Sequence, residues 1–346
     1  MRSTQAYRAA ARGAALELVT IERRDLRPDD VAIRVTHCGV CHTDLHALRA
    51  ESPDAFPVVP GHEFVGEVTA VGAEVSGFVV GDPVAVGNIV DSCGECAMCR
   101  AGQENFCASF PTLTYGGSDR VDGSRTQGAY SAEYVVRDRF VYRRPAGLDP
   151  AAVAPLMCAG ITVWEPLRRW RVGAGSRLGV VGLGGLGHLA VKLGHALGAQ
   201  VTVFTTTPGK ADDARALGAD RVVVSTDSEA MAEVADSLDL VIDTVSAAHD
   251  LSPYLATVAL DGTLCSLGHL GTVTLETMAL LIGRKSLSSA GSGGRPRTQE
   301  LLDFCGEHGI TADVEVLPSR EVTTALDRLA RNDVRYRFVL DLADIS

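Results

Sequence analysis

The sequence predicts an α/β protein of two domains: a mostly β domain, discontinuous over residues 1–158 and 294–346, and a doubly wound parallel sheet over residues 159–293. Three observations carry this expectation. Short Val-rich runs punctuated by Gly, Pro and Asp fill the first stretch; near residue 175 the rhythm changes to strand, Gly-rich turn and helix; and the chain closes on a strand-like run that returns to the first domain.

Taken in order, Val31–Val35 and Phe64–Val68 read as strands of the β domain. Arg177–Val181 reads as a strand, followed by apolar residues Leu186, Leu189, Ala190, Leu193 and Leu197 at helical spacing. Val201–Phe204, Arg221–Val224, Leu238–Ile242 and Thr263–Leu267 follow as strands, with helical stretches such as Ala211–Leu217 between them. That alternation predicts a parallel sheet. After Gly291-Ser292-Gly293-Gly294 come a helix over Gln299–His308 and a final strand over Tyr336–Leu340.

With 346 residues and 46% hydrophobic content, the chain is too long for one core and rich enough for two. Its formal net charge of -11 argues against nucleic acid, whose phosphates need clustered Lys and Arg. The N-terminus lacks the pattern of a signal peptide and no uncharged apolar run has spanning length, so a cytoplasmic protein without a membrane partner is expected. In a reducing compartment, nine cysteines favour metal ligation or free thiols over disulfides.

Cys93, Cys96, Cys99 and Cys107 form a C-x2-C-x2-C-x7-C cluster on one Gly-containing loop. Four thiolates so close in sequence can surround a tetrahedral zinc and leave nothing open for chemistry, which predicts a structural site. A disulfide pair or unrelated thiols are the alternatives. Elsewhere Cys41, His62 and Cys158 together supply two thiolates and an imidazole, the donor set of a catalytic zinc with a vacant fourth position. Taken singly, each is equally a small buried thiol or a hydrogen-bonded histidine. Asp44 and Glu63 could orient a ligand or tune the metal, or be surface carboxylates.

Gly182-Leu183-Gly184-Gly185-Leu186-Gly187 is G-x-G-x-x-G between a strand and a helix. Gly182 permits the tight turn, Gly184 lets the backbone approach a pyrophosphate, and Gly187 lets helix and strand pack closely. The second strand of such a unit often ends in an acid that binds the ribose 2′-hydroxyl. Here it runs into Thr205-Thr206-Thr207-Pro208-Gly209-Lys210, so hydroxyls and one positive charge stand where a carboxylate would repel a 2′-phosphate. NADPH is the expected cofactor; a solvated turn with a surface lysine is the alternative.

The run Cys41-His42-Thr43-Asp44-Leu45-His46, the triplet Gly61-His62-Glu63, the four-cysteine loop and Leu156–Thr162 resemble the zinc-dependent medium-chain alcohol dehydrogenases, in that family's order and over essentially the whole chain. Residues 122–131 and 298–305 are similar to its cinnamyl alcohol dehydrogenase branch. The resemblance implies a GroES-like catalytic domain with two zinc ions and a Rossmann NADP-binding domain. It implies that Cys41, His62 and Cys158 hold the catalytic zinc, that Glu63 can approach it, and that Cys38 is no ligand. It places Gly185 and Leu186 with the other loop residues at the cofactor, His42 near the pyrophosphate, and Thr43 and His46 on the proton path.

The metal would polarise an aldehyde carbonyl and the nicotinamide deliver hydride, giving a primary alcohol in a reversible reaction. The resemblance also implies a homodimer built through edge strands of the cofactor domains, and a substrate pocket near Ile89, Phe110–Tyr115 and Trp164. Leu113 stands where the plant enzymes carry a bulky Trp, which favours broad use of aromatic or medium aliphatic aldehydes. A dedicated biosynthetic reductase of one aldehyde or iminium intermediate shares every motif. A non-catalytic NADPH- or zinc-binding protein would have no need of the complete Cys41, His62, Cys158 and Thr43 set.

Overall fold

The computed structural model describes residues 1–269 and 271–345, which separate into two compact units, Met1–Cys158 with Gly293–Ser346, and Ala159–Ser292. The first unit is built on a seven-stranded sheet. Its path runs Val314–Pro318, Arg337–Asp341, Asp30–Val40, Phe64–Val71, Pro83–Val86 and Tyr142–Arg143, with Glu133–Arg137 also pairing along Asp30–Val40. Arg337–Asp341 lies parallel to Val314–Pro318 and antiparallel to Asp30–Val40, so the chain's last strand is hydrogen-bonded on both sides. Val31, Ile33, Val35, Phe64, Val68, Val84, Val86, Phe338 and Leu340 form the core of this unit. Each such side chain contributes roughly 1.5–3 kcal/mol by leaving water.

The second unit holds six parallel strands in the order Arg221–Val224, Gln200–Thr205, Arg177–Val181, Leu238–Asp243, Val258–Ser266 and Ser286–Ser289. Leu178, Val180, Val201, Val203, Val241 and Leu264 are buried, as expected of strands covered on both faces. The fold is the predicted GroES-like unit with an inserted Rossmann-type sheet.

Some boundaries differ from the expectation. The fifth strand starts at Val258, five residues before the expected Thr263, and passes through Asp261 with φ 61. Asp261-Gly262 looks like a turn in sequence, but the burial of Val258 and the pairing of Leu238 with it hold the kinked segment in the sheet. Likewise the helix expected from Gln299 begins at Arg295, with Pro296 in its first turn, where the missing amide hydrogen costs nothing. The segment 275–289 forms the helix Thr277–Leu281 and the edge strand Ser286–Ser289. No single helix among the described residues is long and apolar enough to cross a membrane.

Candidate metal centres and nucleotide site

The strand Asp30–Val40 runs straight into the helix His42–Leu48, and Cys41 occupies the junction in extended conformation. His62 lies just before the strand Phe64–Val71, and Cys158 follows the turn Ala154–Met157. The ligand atoms of these three residues lie within 4.8 Å of one another. The two sulfurs are 4.0 Å apart, and His62 Nε2 is 3.3 Å from the Cys158 sulfur. Bond lengths of about 2.3 Å to sulfur and 2.0–2.1 Å to nitrogen in a tetrahedron put such pairs about 3.8 and 3.6 Å apart, so the trio fits a zinc ion.

The electrostatics fit as well. Its hydrogen bond with Cys158 holds the Cys41 thiol well below the usual value, and the same contact together with burial pushes Cys158 well above it. The two sulfurs share one proton, and a divalent cation held between them would take its place. Asp44, wholly buried, fixes the imidazole: Oδ1 lies 3.1 Å from His62 Nδ1 and accepts the Gly61 N–H at 3.0 Å. With Nδ1 donating to a carboxylate, Nε2 carries the lone pair and faces the sulfurs.

Glu63 stands outside the trio. Its carboxylate is paired with Arg337 from the final strand and is not among the ligand atoms that converge. Burial pushes its carboxyl up to about 7 against the pull of that guanidinium. Thr43 Oγ1 is 3.7 Å from the Cys41 sulfur and exposed, as is His46 three residues further along the same helix, while His42 is half-buried. Tyr115 sets the edge of its ring against His62, with centroids 5.8 Å apart.

The second cluster brings Cys93, Cys96, Cys99 and Cys107 within 4.8 Å of one another. Backbone amides converge on the sulfurs: Cys96 N–H donates to Cys93 Sγ at 3.4 Å, Cys99 N–H to Cys96 Sγ at 3.5 Å, and Ala108 N–H to Cys96 Sγ at 3.4 Å. These amides hold the Cys96 thiol down at about 6, poised to ligate as thiolate. All four corners of a tetrahedron are taken by protein, the closed arrangement of a structural site.

In the inserted unit the glycine loop joins Arg177–Val181 to the helix Gly187–Ala196. Gly182 has φ +87, a conformation that disfavours a side chain, and a Cβ on Gly187 would come 2.0 Å from the Gly182 carbonyl oxygen. A Cβ on Gly184 would meet nothing within 4 Å, which leaves room above the backbone. Thr205 is buried and accepts the Thr207 N–H at 3.1 Å, whereas Thr206 is exposed. Lys210 Nζ folds back to the Leu183 carbonyl at 3.4 Å, so its charge sits beside the glycine loop. No carboxylate ends the strand Gln200–Thr205.

Comparison with known proteins is decisive at the family level. Residues 27–146 match the alcohol dehydrogenase GroES-like domain family, and residues 185–307 match the zinc-binding dehydrogenase family. The chain belongs to the zinc-binding alcohol dehydrogenases. Among the relatives of this dehydrogenase, aldehyde reductase YahK of Escherichia coli (strain K12) is 46% identical over 330 residues, 94% of each chain. NADP-dependent alcohol dehydrogenase C 1 of Mycolicibacterium smegmatis is 45% identical over 349 residues, covering 100% of this chain and 99% of that protein. A solved cinnamyl alcohol dehydrogenase from Sorghum bicolor is 44% identical with a TM-score of 0.95, covering 100% of this chain and 99% of its own.

Two residues of the dehydrogenase's metal region are missing from the sequence-based reading. Arg337 reaches it from the final strand and lies in no motif, and Tyr130 lies in the branch-like stretch 122–131, which gives it no role; only the folded contacts reveal them.

Proposed function

We propose that this zinc-dependent dehydrogenase reduces aldehydes to primary alcohols with NADPH, accepting a broad range of aromatic and medium aliphatic substrates. The observation that carries the reading is the convergence of Cys41, His62 and Cys158 with a spacing that suits zinc, beside an Asp44 that dictates which imidazole nitrogen is free. Bound zinc supplies carbonyl polarisation and the nicotinamide supplies hydride. Cys41, His62 and Cys158 would hold the catalytic ion; Cys93, Cys96, Cys99 and Cys107 would hold the structural one.

The chain's own residues do the rest. Thr43 donates a proton to the substrate oxygen as the alcohol forms, and exposed His46, three residues on and so on the same side of the helix, exchanges protons with solvent. Glu63, neutralised by Arg337, adds little negative charge to the metal region. Gly182, Gly184, Gly185, Leu186 and Gly187 receive the pyrophosphate, and Thr206 and Lys210, with Thr205 shaping the turn, receive the 2′-phosphate. The name of the mycolicibacterial relative, an NADP-dependent alcohol dehydrogenase, agrees with that preference.

Ile89 and Leu113 are paired across two strands, and Tyr115 lies against His62, which supports a largely apolar wall suited to a range of aldehydes. Exposed Phe110 leaves that region open to bulky aldehydes. A dimer is supported by Met278, Leu281, Ile282 and Leu287, apolar residues exposed on and before the edge strand Ser286–Ser289. The test is metal analysis together with NADPH oxidation over a panel of aldehydes including benzaldehyde. Two zinc ions per chain and kcat/KM values within about tenfold across the panel support the reading. Turnover confined to one aldehyde would make it a dedicated reductase, and no turnover at all would remove the catalytic assignment.

A further inference from the structure

Asp44 does more than meet His62. Each of its two carboxylate oxygens takes two donors: Oδ1 accepts from Gly61 N–H at 3.0 Å and lies 3.1 Å from His62 Nδ1, while Oδ2 accepts from Cys41 N–H at 3.0 Å and from the Tyr130 hydroxyl at 3.2 Å. One buried carboxylate thus touches the backbone of one candidate zinc ligand and the side chain of another. Of the four donors, only the Tyr130 hydroxyl comes from outside the segments that carry those ligands.

Tyr130 is itself held without play. It has no exposed surface, and its segment is stitched to the residues preceding His62 by Gly128 N–H to Val59 O at 2.7 Å, Ala129 N–H to Gly61 O at 2.9 Å and Tyr130 N–H to Pro60 O at 2.9 Å. Glycine makes the approach possible, because a Cβ on Gly128 would come 2.1 Å from Pro60 O and one on Gly61 would come 2.7 Å from the Tyr130 ring. On the far side, the buried guanidinium of Arg23 grips the same segment, donating to Gly128 O and Ser131 Oγ, each at 2.7 Å, and to Glu133 O at 3.0 Å. A phenol so deeply buried stays protonated, since burial raises it well above the usual tyrosine range. Its hydroxyl therefore acts as a donor, and a donor buried without a partner would cost about 1–3 kcal/mol.

We infer that Tyr130 is a positioning residue of the catalytic metal centre, its hydroxyl locking the Asp44 carboxylate in the orientation that aims His62 Nε2 at the ion. With Oδ2 held by Tyr130 and the Cys41 amide, Oδ1 is left facing the imidazole. Loss of the hydroxyl frees the carboxylate to rotate about its Cβ–Cγ bond and loosens the ring. The inference rests on Cys41, His62 and Cys158 being zinc ligands, and its failure is distinguishable from the failure of that assignment.

The experiment compares zinc release to an excess of a chromogenic chelator from the wild-type holoenzyme and from Tyr130→Phe, which keeps the ring and removes only the hydroxyl. If Cys41, His62 and Cys158 hold no ion, the wild type itself gives up one zinc class rather than two, and the proposal falls together with the metal assignment. With two classes present, the expected result is release of one class roughly 10-fold faster in Tyr130→Phe, the range for outer partners of metal ligands, while the class held by the four-cysteine loop is unchanged and reports an intact fold. Introducing Tyr130→Phe into Asp44→Asn tests the route: a hydroxyl acting through the carboxylate adds no further acceleration there. Release from Tyr130→Phe at the wild-type rate or slower, or an undiminished effect in the Asp44→Asn background, overturns the proposal. If both classes were lost together in Tyr130→Phe, the residue would be a general packing element and the proposal would likewise fall.

Discussion

Arg337 and Glu63 form an ion pair from which water is excluded, across a sequence separation of 274 residues. Such a pair is costly to half-remove, because the surviving charge stays buried alone. Arg337→Met should therefore destabilise the protein by about 3–5 kcal/mol, read from urea denaturation of the zinc-loaded form. A loss under about 1 kcal/mol would mean that Glu63 takes up a proton or finds another partner or water.

The same pair carries a pH signature in protein stripped of zinc. Burial raises the Glu63 carboxyl from an ordinary 4.5 to about 7, so between those values the folded chain binds the proton that the unfolded chain has released. By linkage the Glu63 contribution to stability is fully present below 4.5 and declines as the pH climbs through about 7. Glu63→Gln, which cannot ionise, should flatten the slope of folding free energy over that window. An unaltered slope would assign it to other groups.

Thr43 is exposed beside Cys41 but contributes no metal ligand atom. Thr43→Ala should lower turnover by about 10²–10⁴-fold, the usual size of a lost proton-transfer group, with zinc content unaltered. Metal analysis and steady-state kinetics on the same preparation separate the two effects, and full activity would remove Thr43 from the proton path.

At the nucleotide site, Thr205→Asp combined with Lys210→Ala should shift preference from NADPH towards NADH. An aspartate at position 205 can keep the Thr207 amide that Thr205 now accepts at 3.1 Å, so the turn survives while the charge reverses. The ratio of kcat/KM for the two cofactors should change by about tenfold or more, corresponding to about 1.4 kcal/mol of differential binding. Equal ratios before and after would place the 2′-phosphate elsewhere.

Two glycines of the loop should respond in opposite ways. Gly184→Ala meets open space and should leave thermal stability intact while weakening cofactor binding, because the added methyl occupies the approach to the backbone. Gly187→Ala would push its methyl within 2.0 Å of the Gly182 carbonyl oxygen, so it should lower stability by roughly 1–3 kcal/mol as well. Thermal melts alongside a cofactor titration would show the split, and matching behaviour of the two variants would contradict it.

Legibility in the sequence followed how local each cause is. Arg177–Val181 and Arg221–Val224 are readable to the residue because apolar runs there are bounded by turn residues. Val258 was hidden behind Asp261-Gly262, whose turn-like chemistry is overridden by the neighbouring strand. Pro296 was a usable start signal for its helix, since proline favours the first turn. At the site, residue type and spacing point to the cysteines, His62 and the glycine loop, because ligand chemistry restricts which side chains can serve. Arg337 and Tyr130 are different: nothing in Arg335-Tyr336-Arg337 marks the first, the branch-like stretch 122–131 contains the second without giving it a role, and their importance arises only when distant segments come to lie against Glu63 and Asp44.

The placement of Arg337–Asp341 between two other strands bears on how the protein is made. A ribosome releases residues 1–158 long before that strand exists, so the nascent first unit waits with residues 37–40 of its long strand unpaired on one side and Glu63 without its counter-ion. The intervening unit, whose six strands all come from residues 221–224, 200–205, 177–181, 238–243, 258–266 and 286–289, can fold in the meantime. Once that strand has been made, it seals a bare sheet edge, a type of edge prone to pairing with other chains, and supplies the guanidinium that Glu63 lacks until then.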